Sequence, residues 1–242
     1  ISLCQIETGK YITSIVVYVY DHSGSMGPNR GSSGNDPKQI ADDAFRKAIG
    51  DQAGLDSQSF AAYIPFDSEI IKGDTVHPIK LNSQGNIDKI QAKINHEYGG
   101  NTNFFDPLLL AVQFLERAEF DGFNKSIIML ADGQDRLSQA QTDSLVLAPD
   151  IPPIYGIFLG LDHLGRDRMD FISSTTGGYS TQIDDADGVA PIISQLIRDL
   201  VVVANPINMT LENMSLSKVR FSTFDQMSQQ LDGSWVLNFN ND

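Results

Sequence analysis

The run from Ile12 to Tyr20, "ITSIVVYVY", limits the fold more than any other stretch of the chain. β-branched and aromatic residues follow one another there without the polar alternation of a half-solvated strand, so the segment must be buried on both faces. Strands of that kind belong to sheets covered by helices on each side, and the following residues supply helices. Asp36 offers a side-chain cap with Pro37 at the first helical position, and Ile40, Ala41, Ala44, Phe45, Ala48 and Ile49 recur at helical spacing. "SFAAYIPF" (Ser59 to Phe66) predicts a second strand. "IIKGDTVHPIKL" (Ile70 to Leu81) predicts a third at a sheet edge, because Pro78 cannot donate to a central ladder. "NIDKIQAKI" from Asn86 reads as a short helix, and Asp106-Pro107 repeats the cap-and-proline start ahead of "LLLAVQFL".

The second half repeats the scheme. It predicts a strand at "SIIMLA" (Ser126 to Ala131), a helix near Gln139 to Leu147, a strand at "PIYGIFLG" (Pro153 to Gly160) and a helix around Arg168 to Ser174. A closing helix from Val189 to Val203 carries Ile192, Ile193, Leu196, Ile197 and Leu200 on one stripe. Strands separated by helices predict an α/β fold, a doubly wound and mostly parallel sheet with helices on both faces. The texture differs at the two ends. "ISLCQIE" at the start, and "MTLENMSLSKVRFSTF" and "GSWVLNFN" after Asn205, read as short antiparallel β segments without a core of their own. They are expected to pair with each other. The expected organisation is a flanking β segment over residues 1–10, the α/β unit over 11–203, and a flanking β segment or the start of a neighbouring domain over 204–242.

Charge and composition narrow the function. A net charge of -14 repels phosphate backbones and anionic lipid surfaces, so nucleic acid is not an expected partner. The apolar runs are far too short to span a bilayer, and direct membrane insertion is not expected. Cys4 is the only cysteine, which rules out an internal disulfide and a thiolate metal site.

The first strand ends in "VVYVYDHSGSMG" (Val16 to Gly27), where Asp21, Ser23 and Ser25 present short oxygen-bearing side chains at every second position. Doubly wound sheets bind ligands in the crevice beyond the carboxyl ends of their strands, and Asp21 stands at such an end. Carboxylate and hydroxyl oxygens are hard donors suited to Mg²⁺, Mn²⁺ or Ca²⁺. Three rival motifs fail on the same residues. A helix-loop-helix calcium site wants Gly sixth and Glu twelfth, where Met26 and Ser32 stand. A nucleophile elbow wants Gly two residues either side of its serine, and Asp21 precedes Ser23. A phosphate-binding loop wants Lys followed by Ser or Thr, and no lysine lies between Gly24 and Gly34.

With those alternatives gone, "VVYVYDHSGSM" resembles the strand and Asp-x-Ser-x-Ser motif of the von Willebrand factor type A domain, where a metal-ion-dependent adhesion site begins. "YGGNTNFFDPLLLA" resembles that family's second loop, with Thr102 in the place of its threonine ligand, and "SIIMLADGQD" resembles its fourth strand, with Asp132 as the terminal aspartate. The resemblance implies one metal ion, Mg²⁺ or else Ca²⁺ or Mn²⁺, held by Asp21, Ser23, Ser25, Thr102 and Asp132. It implies a partner, protein or other ligand, that completes the coordination with a carboxylate, and a binding rather than catalytic role. It points to a prokaryotic surface or adhesin protein, extracellular or at the cell surface and part of a larger multidomain chain; a cytoplasmic setting stays open. An intracellular assembly module partnering an ATPase or coat complex is one alternative, and a metal-dependent hydrolase another. The family also couples its metal site to the C-terminal helix, here Val189 to Val203.

Neighbouring polar residues have plainer readings. Asp106 reads as a helix cap, Asp67 as structural, Asp135 and the "DDADG" run (Asp184 to Gly188) as solvated loop. Gly24, Gly99 and Gly100 are expected where backbone approaches closely or takes positive φ. His22 reads as a surface or flanking residue, and His77, His96 and His163 share no ligand spacing.

Overall fold

A computed structural model of the chain describes residues 5–8, 13–26, 37–94, 99–132, 137–147, 151–159, 166–183, 188–202, 207–210, 226–229 and 235–238. In chain order the elements are β1 (Gln5–Thr8), β2 (Ser14–Asp21), α1 (Pro37–Leu55), β3 (Phe60–Phe66), β4 (Val76–Lys80), α2 (Gln84–Gln91), α3 (Phe105–Leu115), β5 (Asn124–Ala131) and α4 (Gln139–Val146). They continue with β6 (Ile154–Leu159), α5 (Arg166–Thr175), β7 (Ser180–Ile183), α6 (Val189–Val202), β8 (Ile207–Thr210), β9 (Gln226–Gln229) and β10 (Trp235–Asn238). A six-stranded sheet runs in the order β4-β3-β2-β5-β6-β7. Its pairs are parallel except β3 with β4, so the α/β class and the double winding are those of the sequence pattern.

β2 lies at the centre, and all of its residues are buried. Its pleat divides the core in two. Val16, Tyr18 and Tyr20 pack in a layer with Ala41, Phe45 and Ile49 of α1, Ile90 of α2 and Ile193 and Ile197 of α6. Ile15, Val17 and Val19 pack in the other, with Leu108 and Leu115 of α3, Leu145 of α4 and Met169 and Ile172 of α5. Each fully buried side chain of this size stabilises the fold by roughly 1.5–3 kcal/mol, which is why an unbroken apolar strand requires helices on both faces.

Two tyrosines set how α1 lies on β2. Tyr18 donates to Gln52 Oε1 and Tyr20 to Asp42 Oδ1, each at 3.0 Å, and the Tyr20 ring stacks on Phe45 with centroids 4.7 Å apart. Gln52 in turn donates to the carbonyl of Phe60, so one buried amide ties α1 to both β2 and β3. Burial, and after it the negative charge of Asp51, pushes the Tyr18 hydroxyl well above its usual pKa.

β4 is an edge strand, and the register slips between Ala61 and Tyr63 of β3 where Pro78 interrupts the ladder. β7 is absent from the sequence reading. "STQI" is four residues long and mostly half-buried, because an edge strand needs no apolar run to hold it. α3 begins at Phe105, ahead of Asp106, and α5 at Arg166, ahead of Arg168.

A separate four-stranded sheet has the order β1-β8-β10-β9, with β1 antiparallel to β8 from Gln5 opposite Thr210 to Thr8 opposite Ile207. Asn124 at the start of β5 donates to the carbonyl of Leu200 near the end of α6. The chain therefore enters β2 and leaves α6 at the edge of the main sheet remote from Asp21. Of the earlier readings, Asp36, Asp135, residues 184–187, His96 and His163 lie outside the described residues.

Candidate metal centre

The strand order places the topological switch between β2 and β5: from β2 the chain moves on to β3 on one side, and from β5 to β6 on the other. A crevice opens at such a point because the connections leave it in opposite directions. Asp21 is the last residue of β2 and Asp132 follows the last residue of β5; with Tyr20 in register with Leu130, the two stand one and two steps beyond that pair. Both are buried, at 0% and 1% exposure. Buried carboxylates at a sheet edge require compensating donors or a cation.

Past Asp21 the backbone turns sharply. Asp21 Oδ1 accepts from the Ser23 amide at 2.7 Å, and Met26 N donates to the Ser23 carbonyl at 3.0 Å to close a single 3-10 turn over Gly24–Met26. The turn brings the Ser23 and Ser25 hydroxyl oxygens within 3.0 Å of each other. Ser23 is buried and Ser25 half-buried.

Thr102 reaches the same edge on a loop sewn to this turn. Gly99 N donates to the His22 carbonyl at 3.0 Å, and Gly24 N to the Gly100 carbonyl at 3.3 Å. Asn103 N donates to the Asp67 carbonyl at 2.9 Å, which fastens the loop to the end of β3 as well. Thr102 lies between these attachments and is half-buried. Of the three glycines, Gly100 alone has φ at +75°, and a Cβ there would meet Asp67 Oδ2 at 3.0 Å. A Cβ on Gly24 would make ordinary contact at 3.6 Å, and one on Gly99 would meet nothing within 4 Å.

Asp106 is not the cap of α3. Asn103 Oδ1 accepts from the amides of Phe105 and Asp106 at 3.1 and 3.4 Å, and Asn103 Nδ2 donates to Asp106 Oδ2 at 2.8 Å. An Asx cap starting the helix earlier leaves Asp106 inside the first turn, where a carboxylate still suits the positive end of the helix. Asp67 acts within its own turn, accepting from Ser68 Oγ at 3.2 Å and Glu69 N at 3.0 Å.

No protein-family model and no curated protein matches the sequence. Solved structures do. A von Willebrand factor type A protein from Catenulispora acidiphila superposes with TM-score 0.66 at 17% identity, over 78% of this chain and 43% of that one. The chain has the von Willebrand factor type A fold. The pilus adhesin SpaC from Lactobacillus rhamnosus GG, in an open conformation, matches with TM-score 0.67 at 18% identity over 95% of this chain and 37% of that one. Proximal thread matrix protein 1 from the mussel byssus, solved with a zinc-occupied adhesion-site motif, matches with TM-score 0.55 at 14% identity over 80% of this chain and 49% of that one. The chain thus spans less than half the length of each of these structures.

Within this A-type fold, His22 departs from the sequence reading. It is fully buried, its Nε2 lies 2.9 Å from Tyr63 Oη, and its ring packs edge-on against Tyr20 with centroids 4.5 Å apart. The signal was present in the strand period: residues 16, 18 and 20 face the α1 layer, and 22 continues the series past the last ladder pair. His77 pairs with Arg117 at 3.2 Å and lies against Phe114, which leaves it a local packing role. Among the described residues no helix is long and apolar enough to cross a membrane.

Proposed function

We propose that the chain is a divalent-cation-dependent binding module of the adhesion type, with the ion held by Asp21, Ser23, Ser25, Thr102 and Asp132. One observation carries the reading: the Ser23 and Ser25 hydroxyls meet at 3.0 Å beside two buried carboxylates, and the loop bearing Thr102 is hydrogen-bonded to the same turn. Among the described residues no three His, Cys, Asp or Glu side chains come together as metal ligands. A cation held here therefore relies on hydroxyl oxygens together with carboxylates, a hard-donor set that favours Mg²⁺, Ca²⁺ or Mn²⁺.

The division of labour follows from charge. Ser23, Ser25 and Thr102 bring dipoles and no charge, so a divalent ion bound through them keeps a net positive field with which to attract a partner's carboxylate. Asp21 fixes the turn that presents the two serine hydroxyls, through its bond to the Ser23 amide. Asp132 contributes negative charge from the adjacent strand, and both acids orient donors directly or through water. No described group forms an evident nucleophile and base at this edge, so the reading is of binding without turnover.

The A-type unit of residues 11–203 is then inserted between β segments 1–10 and 204–242 of a longer, multidomain chain. A prokaryotic surface setting and a protein partner agree with the pilus adhesin among the similar structures and with a minor pilin from Streptococcus sanguinis. The test is calorimetry with Mg²⁺ and Ca²⁺ on the wild type, Asp21→Ala and Asp132→Ala. Losses of roughly tenfold to a hundredfold are expected, the scale found when groups that orient metal ligands are removed; unchanged affinity in both variants would sink the assignment.

A further inference from the structure

His22 is joined to the end of β3, to the loop that carries Thr102 and to the sheet beneath it. Its amide donates to the Phe66 carbonyl at 2.6 Å, its carbonyl accepts from Gly99 at 3.0 Å, and its ring is hydrogen-bonded to Tyr63 beneath. Tyr63 is fully buried on β3 and packs in the α1-side layer with Tyr20 and Met26. Met26, at 6% exposure, enters the same layer from the far end of the turn. The segment bearing Ser23 and Ser25 is thus held at both ends, by His22 before it and Met26 after it. Met26 is an apolar anchor in that layer. The His22–Tyr63 bond is directional, and it fixes the height of the turn above the sheet.

We propose that the His22–Tyr63 hydrogen bond is a positioning contact that sets the separation between the Ser23/Ser25 hydroxyls and the Thr102 loop. The inference rests on the metal reading above. Its logic is geometric: Gly99 hangs on the His22 carbonyl, Gly24 on the Gly100 carbonyl, and Thr102 follows two residues later, so a tilt of residue 22 moves both groups of hydroxyls relative to each other. An apolar neighbour at the same place would fill the space without specifying that tilt.

The experiment uses Mn²⁺ alone as probe, with free ion counted by electron paramagnetic resonance, on the full chain carrying Tyr63→Phe, His22→Phe or both. Ile64→Val is the control: Ile64 is fully buried on the same strand but packs in the opposite layer, so it lowers stability without touching His22. All titrations are run where circular dichroism reports a fully folded chain. Tyr63→Phe keeps the ring and removes the hydroxyl, and it should weaken Mn²⁺ binding by about tenfold, while Ile64→Val leaves it unchanged. His22→Phe should weaken it similarly, and the double variant should be no weaker than the worse single one, because both remove one shared interaction. Variants that melt earlier yet bind Mn²⁺ as the wild type does would reduce the bond to a core contact and overturn the proposal. A wild type that binds no Mn²⁺ would fail before any variant is measured, and would remove the metal reading together with this one.

Discussion

Gly100→Ala isolates one backbone requirement of the crevice. At φ +75° an L-residue places its Cβ against the following carbonyl, at a cost of roughly 1–2 kcal/mol. The new methyl would also stand 3.0 Å from Asp67 Oδ2, 3.1 Å from its Cγ and 3.2 Å from Ser68 Oγ. Relief means moving the Asp67 carboxylate, whose Oδ1 is already held by Ser68 Oγ and the Glu69 amide. Displacing a hydrogen bond of that kind costs about 1 kcal/mol more, so the substitution should destabilise by about 2–3 kcal/mol. Near the unfolding midpoint of a unit this size, each kcal/mol is worth about 2–4 °C, giving a drop of about 4–12 °C in a calorimetric scan. Gly99→Ala, next in the chain, meets nothing within 4 Å and should change stability by less than about 0.5 kcal/mol. Equal effects at the two positions would refute the claim that Gly100 is conformationally required and Gly99 is not.

Other consequences can be measured separately. Mg²⁺ at a hundred times its dissociation constant should stabilise the fold by about 2.7 kcal/mol and raise the calorimetric midpoint, with EDTA returning it to the starting value; a midpoint indifferent to both would count against a bound cation. Asn103→Ala removes the side-chain acceptor at the start of α3 and should cost about 1 kcal/mol in urea unfolding, whereas Asp106→Ala, which leaves that acceptor in place, should cost less. Tyr18 keeps its proton in the folded chain above the pH at which the unfolded chain loses it, so the folded state binds more protons there and stability falls as pH rises from about 10. Tyr18→Phe should flatten that alkaline decline in urea midpoints between about pH 9 and 11, and an unchanged slope would remove Tyr18 as its source.

The parts of the fold legible in the sequence are those that one local rule decides. β2 could be read because burial on both faces leaves it no polar side, and α1 because proline and a three-four apolar stripe agree on its start and its face. β7 could not, since a four-residue edge strand is held by its neighbour's ladder and carries no burial signal of its own. The start of α3 went to Asp106 because Asp before Pro is a strong local cap; Asn103 prevails because the loop is already fastened to Asp67 and its amide faces the first free N–H groups. At the crevice, the order of Asp21, Ser23, Ser25, Thr102 and Asp132 along two strand ends and the loop ahead of α3 was readable as pattern. The burial of His22 was readable too, had the two-residue period been carried one step beyond the strand. What no local pattern contains is the sewing between loops: the bonds from Gly99 to His22 and from Gly24 to Gly100 join residues about 75 positions apart in the chain and exist only once the sheet order is set.

The closing helix shows how polar contacts settle what an apolar stripe leaves open. Ile193, Leu196, Ile197 and Leu200 of α6 pack in the α1-side layer, and a shift of one turn would put Val189, Ile192, Ile193 and Leu196, all apolar, in their places. Burial alone therefore distinguishes the two registers weakly. Ser194 does not share that degeneracy. Its hydroxyl donates to Asp51 Oδ2 at 3.0 Å and lies 3.2 Å from Lys47 Nζ, while Lys47 and Asp51 pair with each other along α1. One turn away the chain carries Ala190 or Arg198: the first has no hydroxyl to donate, and the second would set a guanidinium beside the Lys47 ammonium. The observed register thus owes its strength to the large apolar layer and its uniqueness to a buried serine, an arrangement in which a small free-energy difference decides between packings that hydrophobic area alone would leave nearly equal.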